Sequence, residues 1–115
     1  MQESTLQVGA LEIRPQEFRV YVGGRALDLT SRELALLTAL AEREGRIVSR
    51  EELFDAVWQR PFRTDDRSVD VYVRKLRAKL SGASPDLSFI HTHFGFGYRL
   101  SPEPSHLFHN SATSR

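Results

Sequence analysis

Apolar residues along this chain follow two periods, and the change from one to the other divides it into elements. Leu6, Val8, Leu11 and Ile13 come in two short pieces broken at Gly9-Ala10, while Phe18, Val20 and Val22 alternate with Arg19 and Tyr21. That is the period of a half-buried strand. Gly23-Gly24 predicts a tight hairpin turn, whose central positions need positive φ, and Arg25 to Leu29 returns with Ala26, Leu27 and Leu29. Residues 6 to 29 therefore read as a small antiparallel sheet.

From residue 30 the period becomes helical. Thr30-Ser31-Arg32-Glu33 has capping-box spacing; Leu34, Leu37, Leu40 and Ala41 follow, and Gly45 is a natural stop. A second box opens at Ser49-Arg50-Glu51-Glu52, with Leu53, Phe54, Val57 and Trp58 as the apolar face and Pro61 marking the end. Between these helices Ile47-Val48 is too short for more than a single bridging strand. Gln59 to Asp66 is a polar loop. A third helix is predicted from about Arg67 to Leu80, with Asp66 or Asp65 as N-cap, and Ser81-Gly82-Ala83-Ser84-Pro85 ends it. Two strands follow, Leu87 to Thr92 and Tyr98 to Leu100, joined by His93-Phe94-Gly95-Phe96-Gly97 as a glycine-tipped hairpin. The stretch from Ser101 to Arg115, rich in Ser, Pro, His and Asn, reads as a mobile tail.

The third helix carries the functional reading. On a helical wheel Val69, Val73, Leu76 and Leu80 form a narrow core stripe. Arg67, Ser68, Val71, Arg74, Lys75, Ala78 and Lys79 fall on the other side; Tyr72 lies on one flank, Asp70 and Arg77 on the opposite one. The net charge of +1 hides this polarity: residues 67 to 80 hold five basic residues and one acid, whereas residues 30 to 58 hold six acids and four basic residues. A local basic stripe can hold a polyanion even on a nearly neutral chain. A major groove accepts such a helix, because Arg and Lys reach phosphates and guanine edges and a small apolar group such as Val71 meets the thymine methyl. Any amphipathic basic helix shows the same wheel; the order helix, helix, basic helix, glycine-tipped hairpin adds the specificity.

With 115 residues the chain fits one compact domain, and it has no cysteine, so neither a disulfide framework nor a thiolate metal site can form. It has neither a membrane-length apolar run nor a secretory start, which makes the cytoplasm the default.

Separated segments resemble the OmpR/PhoB family of response-regulator effector domains. They are Leu29-Thr30-Ser31-Arg32-Glu33-Leu34, Gly45-Arg46-Ile47-Val48-Ser49-Arg50-Glu51-Glu52-Leu53 and Ala56-Val57-Trp58. Two more are Arg67-Ser68-Val69-Asp70-Val71-Tyr72-Val73-Arg74-Lys75-Leu76-Arg77 and Gly95-Phe96-Gly97-Tyr98-Arg99-Leu100. The resemblance implies an α+β winged helix-turn-helix: a four-stranded antiparallel N-terminal sheet, three helices and a C-terminal β-hairpin wing. It divides the chain into a flexible start (1–5), the winged-helix domain (6–101) and a disordered tail (102–115). It implies double-stranded DNA as partner, with tandem dimers on direct repeats and a monomer when free. Arg67, Ser68, Tyr72, Arg74 and Arg77 match positions that touch phosphates or the groove wall; Val71 and Lys75 match positions that face bases. Many relatives have Arg where this chain has Lys75, which keeps the charge but loses the bidentate fork. Thr92 matches a wing position that contacts phosphate. Relatives commonly have Arg at the position of Phe94; a Phe there packs within the wing, wedges against sugars, or meets another partner. The loop 59–66 matches a segment that faces RNA polymerase, with Arg60, Phe62 and Arg63 as contact residues, or else is a plain connector with Phe62 tucked down. Family effectors usually follow a phosphorylatable receiver domain; none lies within these residues, which fits either a fragment or a short stand-alone regulator.

Three rival readings fit less well. The acid pairs Glu51-Glu52 and Asp65-Asp66 sit at helix starts, where they favour the helix dipole, and Gly95-Phe96-Gly97 precedes a strand, unlike a phosphate loop. No catalytic residue and no cofactor are therefore expected. His91 and His93 share a strand face and His106 and His109 lie in the tail, without the carboxylate or thiol that would make a metal site. A winged helix that binds only protein suits Phe94 and Phe96, but the basic third helix argues against it.

Overall fold

The computed structural model describes residues 5–105. Most of the expected flexible start and tail, including His106 and His109, lies outside the described residues.

Strands β1 (Leu6–Val8), β2 (Leu11–Arg14), β3 (Arg19–Val22) and β4 (Arg25–Ala26) form an antiparallel sheet in sequence order. The register pairs Leu11 with Val22 and Ile13 with Val20, so Val8, Leu11, Ile13, Val20 and Val22 bury on one face. Phe18 breaks the expected alternation. The chain makes a 3-10 turn at Pro15–Glu17, and Phe18 ends it in the left-handed region (φ 56°), exposed to solvent. The rigid φ of Pro15 favours this turn and interrupts the strand. Gly23 and Gly24 take positive φ as the hairpin requires. β4 is shorter than expected: beyond Ala26 only Leu27 still reaches the sheet, donating its amide to the Val20 carbonyl.

The helices are α1 (Ser31–Glu42), α2 (Arg50–Val57) and α3 (Ser68–Ala83). At the first, Thr30 Oγ1 accepts the Glu33 amide at 3.2 Å while Glu33 Oε1 accepts the Thr30 amide at 2.9 Å, a complete capping box. The second box is half formed. Ser49 Oγ accepts the Glu52 amide at 3.0 Å, but the Glu52 carboxylate turns to Arg43 and Arg46. Those two guanidiniums, Arg46 foremost, pull its pKa down to about 2. α2 stops at Val57, before Pro61, and Trp58 is extended. Its ring stacks on Phe54 at 5.1 Å, lies edge-on to Tyr72 and receives the Arg32 guanidinium at 4.8 Å. Stacking, not helix continuation, buries it.

α3 runs through Ser81 and Gly82 to Ala83, beyond the expected stop at Leu80, and Gly82 needs no unusual φ there. Arg67 holds the N-cap position and gives no side-chain cap bond; Asp66, one residue earlier, accepts the Ser68 amide at 2.8 Å. Val69, Val73, Leu76 and Leu80 are the buried residues of α3, as the wheel requires.

The wing is β5 (Leu87–His93) paired antiparallel with β6 (Gly97–Pro104). β6 takes in Ser101, Pro102, Glu103 and Pro104, which the composition assigned to a tail. A register shift between Ser88 and Ile90 accommodates them, and proline is tolerated on such an edge. Ile47-Val48 makes the single bridge expected: Val48 and Tyr98 exchange amide–carbonyl bonds of 2.8 and 2.9 Å, and the Gly45 amide reaches Leu100 O at 3.0 Å. The wing thus grips the α1–α2 connector on one side and α3 on the other. No described helix is long and apolar enough to cross a membrane.

Candidate nucleic-acid interface

Burying the stripe of α3 fixes what its opposite face offers. Arg74 and Lys75 are exposed, Arg67 is exposed at the helix start, and Val71 is half-buried between them. Lys75 Nζ lies 4.7 Å from the Tyr72 ring centroid, so the ring steers the ammonium along the helix surface. Ser68 is half-buried, its hydroxyl 3.3 Å from Arg60.

Two cations of α3 are spent within the fold. Lys79, expected on the open face, turns inward: Nζ donates to Glu33 Oε1 at 2.7 Å and to Asp28 O at 3.0 Å. Burial alone would raise the Glu33 carboxyl, but the bonds from Lys79 and Thr30 outweigh it and hold its pKa below the ordinary value. The reason for the correction is Glu33 itself, buried for its cap role and in need of a counter-charge. Arg77 docks on the wing, donating through Nε to Ile90 O at 3.1 Å and through its guanidinium to Thr92 Oγ1 at 2.5 Å. Thr92 and Arg77 therefore act as one unit, joining the helix to the hairpin.

A cluster that sequence reasoning missed sits at the start of α3. Asp70 Oδ1 accepts the Tyr98 hydroxyl at 2.6 Å and Arg50 Nε at 3.3 Å, and Arg67 lies 3.9 Å from its other oxygen. Burial, then the bond to Asp70, pushes the Tyr98 phenol up to about 12. Arg50 also donates to the Asp66 carbonyl. The Ser68 hydroxyl and amide, followed by Arg60, hold the Asp66 carboxyl down at about 2. These bonds tie α2, α3 and β6 together and hold Arg50 and Arg67 at one rim of the interface. Asp70 on the flank of the wheel was the available signal, but its partners are remote in sequence.

In the loop 59–66, Arg60 pairs with Asp66 at 2.8 Å and lies over the Phe54 ring at 4.9 Å. Phe62 is partly buried, edge-on to Phe54 at 5.3 Å. Arg63 projects outward beside an equally exposed Asp65. At the wing tip Phe94 and Phe96 are exposed. Arg99 donates to His93 Nε2 at 3.0 Å, His91 lies 2.7 Å from Ser101 O, and no group of three metal-ligating side chains occurs among the described residues.

Both the sequence and the fold have counterparts among known proteins. The family described as "Transcriptional regulatory protein, C terminal" matches residues 24–100. The transcriptional regulatory protein CreB of Escherichia coli is 40% identical over 95 residues, covering 83% of this chain and 42% of CreB. The chain thus spans about two-fifths of that relative's length. Among solved structures, the DNA-binding domain of CpxR from E. coli superposes with a TM-score of 0.76 at 33% identity, over 84% of this chain and 95% of that one. The Klebsiella pneumoniae RstA DNA-binding domain, solved in complex with the RstA box, gives 0.77 at 31% identity, over 87% and 99%.

Proposed function

The chain belongs to the OmpR/PhoB family of transcriptional regulators, matching its C-terminal effector part, and on that premise we propose how it engages DNA. α3 enters the major groove by the face carrying Val71, Arg74 and Lys75. Arg67, Ser68 and Tyr72 meet the groove wall and phosphates; Arg77 and Thr92 hold the wing, whose tip with Phe94 reaches the minor groove. The observation that carries this reading is the open face of α3, where Arg74 and Lys75 stay exposed while Lys79 and Arg77 are drawn into the fold. The module binds as a tandem dimer on direct repeats and is monomeric when free. It works in the cytoplasm as a binding module, without catalysis or cofactor. Of the loop residues, Arg63 is the best placed to meet RNA polymerase, because Arg60 and Phe62 pack back on Phe54.

Salt titration tests the electrostatic core of this proposal. With about three phosphates neutralised per subunit by Arg67, Arg74 and Lys75, the cations left exposed on α3 and at its N-cap, log K falls against log salt with a slope of roughly −3. A flat titration would count against the basic-face reading.

Base choice is assigned to Lys75. It lies one turn beyond Val71 on the open face, where an ammonium can donate to guanine O6 or N7. Lys75→Ala should narrow the gap between a selected duplex and a scrambled one by about 1–3 kcal/mol at fixed salt, while Arg77→Ala weakens both alike through the loosened wing. The reverse pattern would move base reading to Arg77.

A further inference from the structure

Phe94 and Phe96 are 89% and 73% exposed, in a chain that buries most of its other large apolar side chains. They flank Gly95, whose φ of +83° makes the tip turn, and the Phe96 amide donates to His93 O at 2.8 Å to close it. Directly below, the Val48–Tyr98 bridge and the Arg77–Thr92 bond clamp the hairpin's base. The two rings are thus carried on a tip whose aim is fixed by the body of the domain. Between the tip and the starts of α2 and α3 lies an open groove of about 490 Å3, lined in part by Phe62, Arg50, Arg67 and Asp70.

Charge selects among partners for this apolar tip. Residues 92 to 99 contain no acid and one arginine, and the groove below the tip sets Arg50 and Arg67 against Glu51 and Asp70, so the unbalanced cations near the tip are those on the open face of α3, Arg74 and Lys75. An acid-free apolar protrusion continuous with the cationic face of α3 matches a polyanion with apolar recesses, and the minor groove of DNA is one, with sugar walls below a phosphate edge. We propose that the wing tip is an apolar wedge: Phe94, with Phe96 beside it, enters the minor groove flanking the α3 site and partly unstacks one base step. This deepens the DNA reading and rests on it. Pyrimidine–purine steps open most readily, so the wedge adds a preference for such a step at a fixed distance from the α3 contacts, without hydrogen bonds to bases. Because the clamped base holds the tip at a set angle, the duplex kinks at that step toward its major groove, away from the inserted rings.

The test uses the 115-residue chain and a duplex selected by it from a random library, carrying 2-aminopurine at successive positions of the flanking steps. Wild type should raise the fluorescence at one step only and bend the duplex by roughly 20–90°, read from circularly permuted fragments by gel mobility. The double variant Phe94→Ala/Phe96→Ala should melt like wild type, because both side chains are exposed, and lose both the signal and the bend. Its affinity should drop about tenfold at every salt concentration, leaving parallel salt plots, since stacking and not charge is removed. Phe94→Arg should restore affinity with a steeper salt slope, but not the bend. Wild-type binding without bend or fluorescence change, or a double variant that keeps them, overturns the wedge and leaves the DNA reading standing. Absence of duplex binding by wild type even at low salt overturns both. A double variant with unchanged DNA affinity and distortion that no longer captures a protein bound by wild type assigns the tip to protein docking and overturns the proposal.

Discussion

Replacing Gly97 with alanine will unseat the wing and cost on the order of 3–4 kcal/mol of stability. Gly97 opens β6 at φ +145°, a conformation that L side chains rarely adopt. A methyl group added there would run into the Val48 carbonyl oxygen and stand 2.7 Å from Val48 C and 2.9 Å from Ser49 Cα, all backbone atoms of the connector that the wing must touch. No side-chain rotation relieves such a clash. The Val48–Tyr98 bonds next to it must lengthen or break, and the Tyr98 hydroxyl then loses its aim at Asp70. A denaturant melt checks the stability loss, and DNA binding should fall even at temperatures where the helices persist. An alanine variant that melts and binds like wild type would mean that the connector yields easily and that the bridge does not set the wing.

Leu76→Ala should cost about 2–5 kcal/mol, the usual range for emptying a fully buried leucine site. Leu76 has no exposed surface and occupies the middle of the α3 stripe, between Val73 and Leu80, on a helix that packs against α1, α2 and β5. It has no chemistry to offer a nucleic acid. Loss of DNA binding should therefore follow unfolding, and cooling or a stabilising cosolvent should restore both together. A Leu76→Ala protein with wild-type melting and no affinity would show that α3 presents a different face to DNA.

What could be read from the sequence was what local spacing determines. The α3 stripe, the Thr30–Glu33 box and the Gly23-Gly24 turn are each specified within a few residues. Lys79 was misplaced because a wheel knows nothing of the buried Glu33 on another helix. Phe18 was misplaced because alternation looks intact until Pro15 forces a turn. Arg50, Asp70 and Tyr98 come from α2, α3 and β6, so their meeting depends on tertiary packing that no local period records. The four-strand count was legible, but the lengths of β4 and β6 were misjudged in opposite directions: β4 stops at Ala26, and Ser101–Pro104 look like a tail until Leu87 and Ser88 pair with Pro104 and Glu103.

The Val48–Tyr98 bridge also bears on the order in which the molecule assembles. α1 and α2 can gain most of their bonds locally, and their contact spans a short connector. The bridge instead closes a long loop containing α2 and α3, and chain entropy opposes that closure until both helices have formed and packed. The wing base is thus a late-forming unit. Since the Val48 and Tyr98 amides each donate to the other's carbonyl, both are released in one event. Phe89, Ile90, Tyr98 and Leu100 of the hairpin are buried in the core shared with the helices, so release of the bridge exposes that core, and a ligand that holds both α3 and the wing steadies the whole domain.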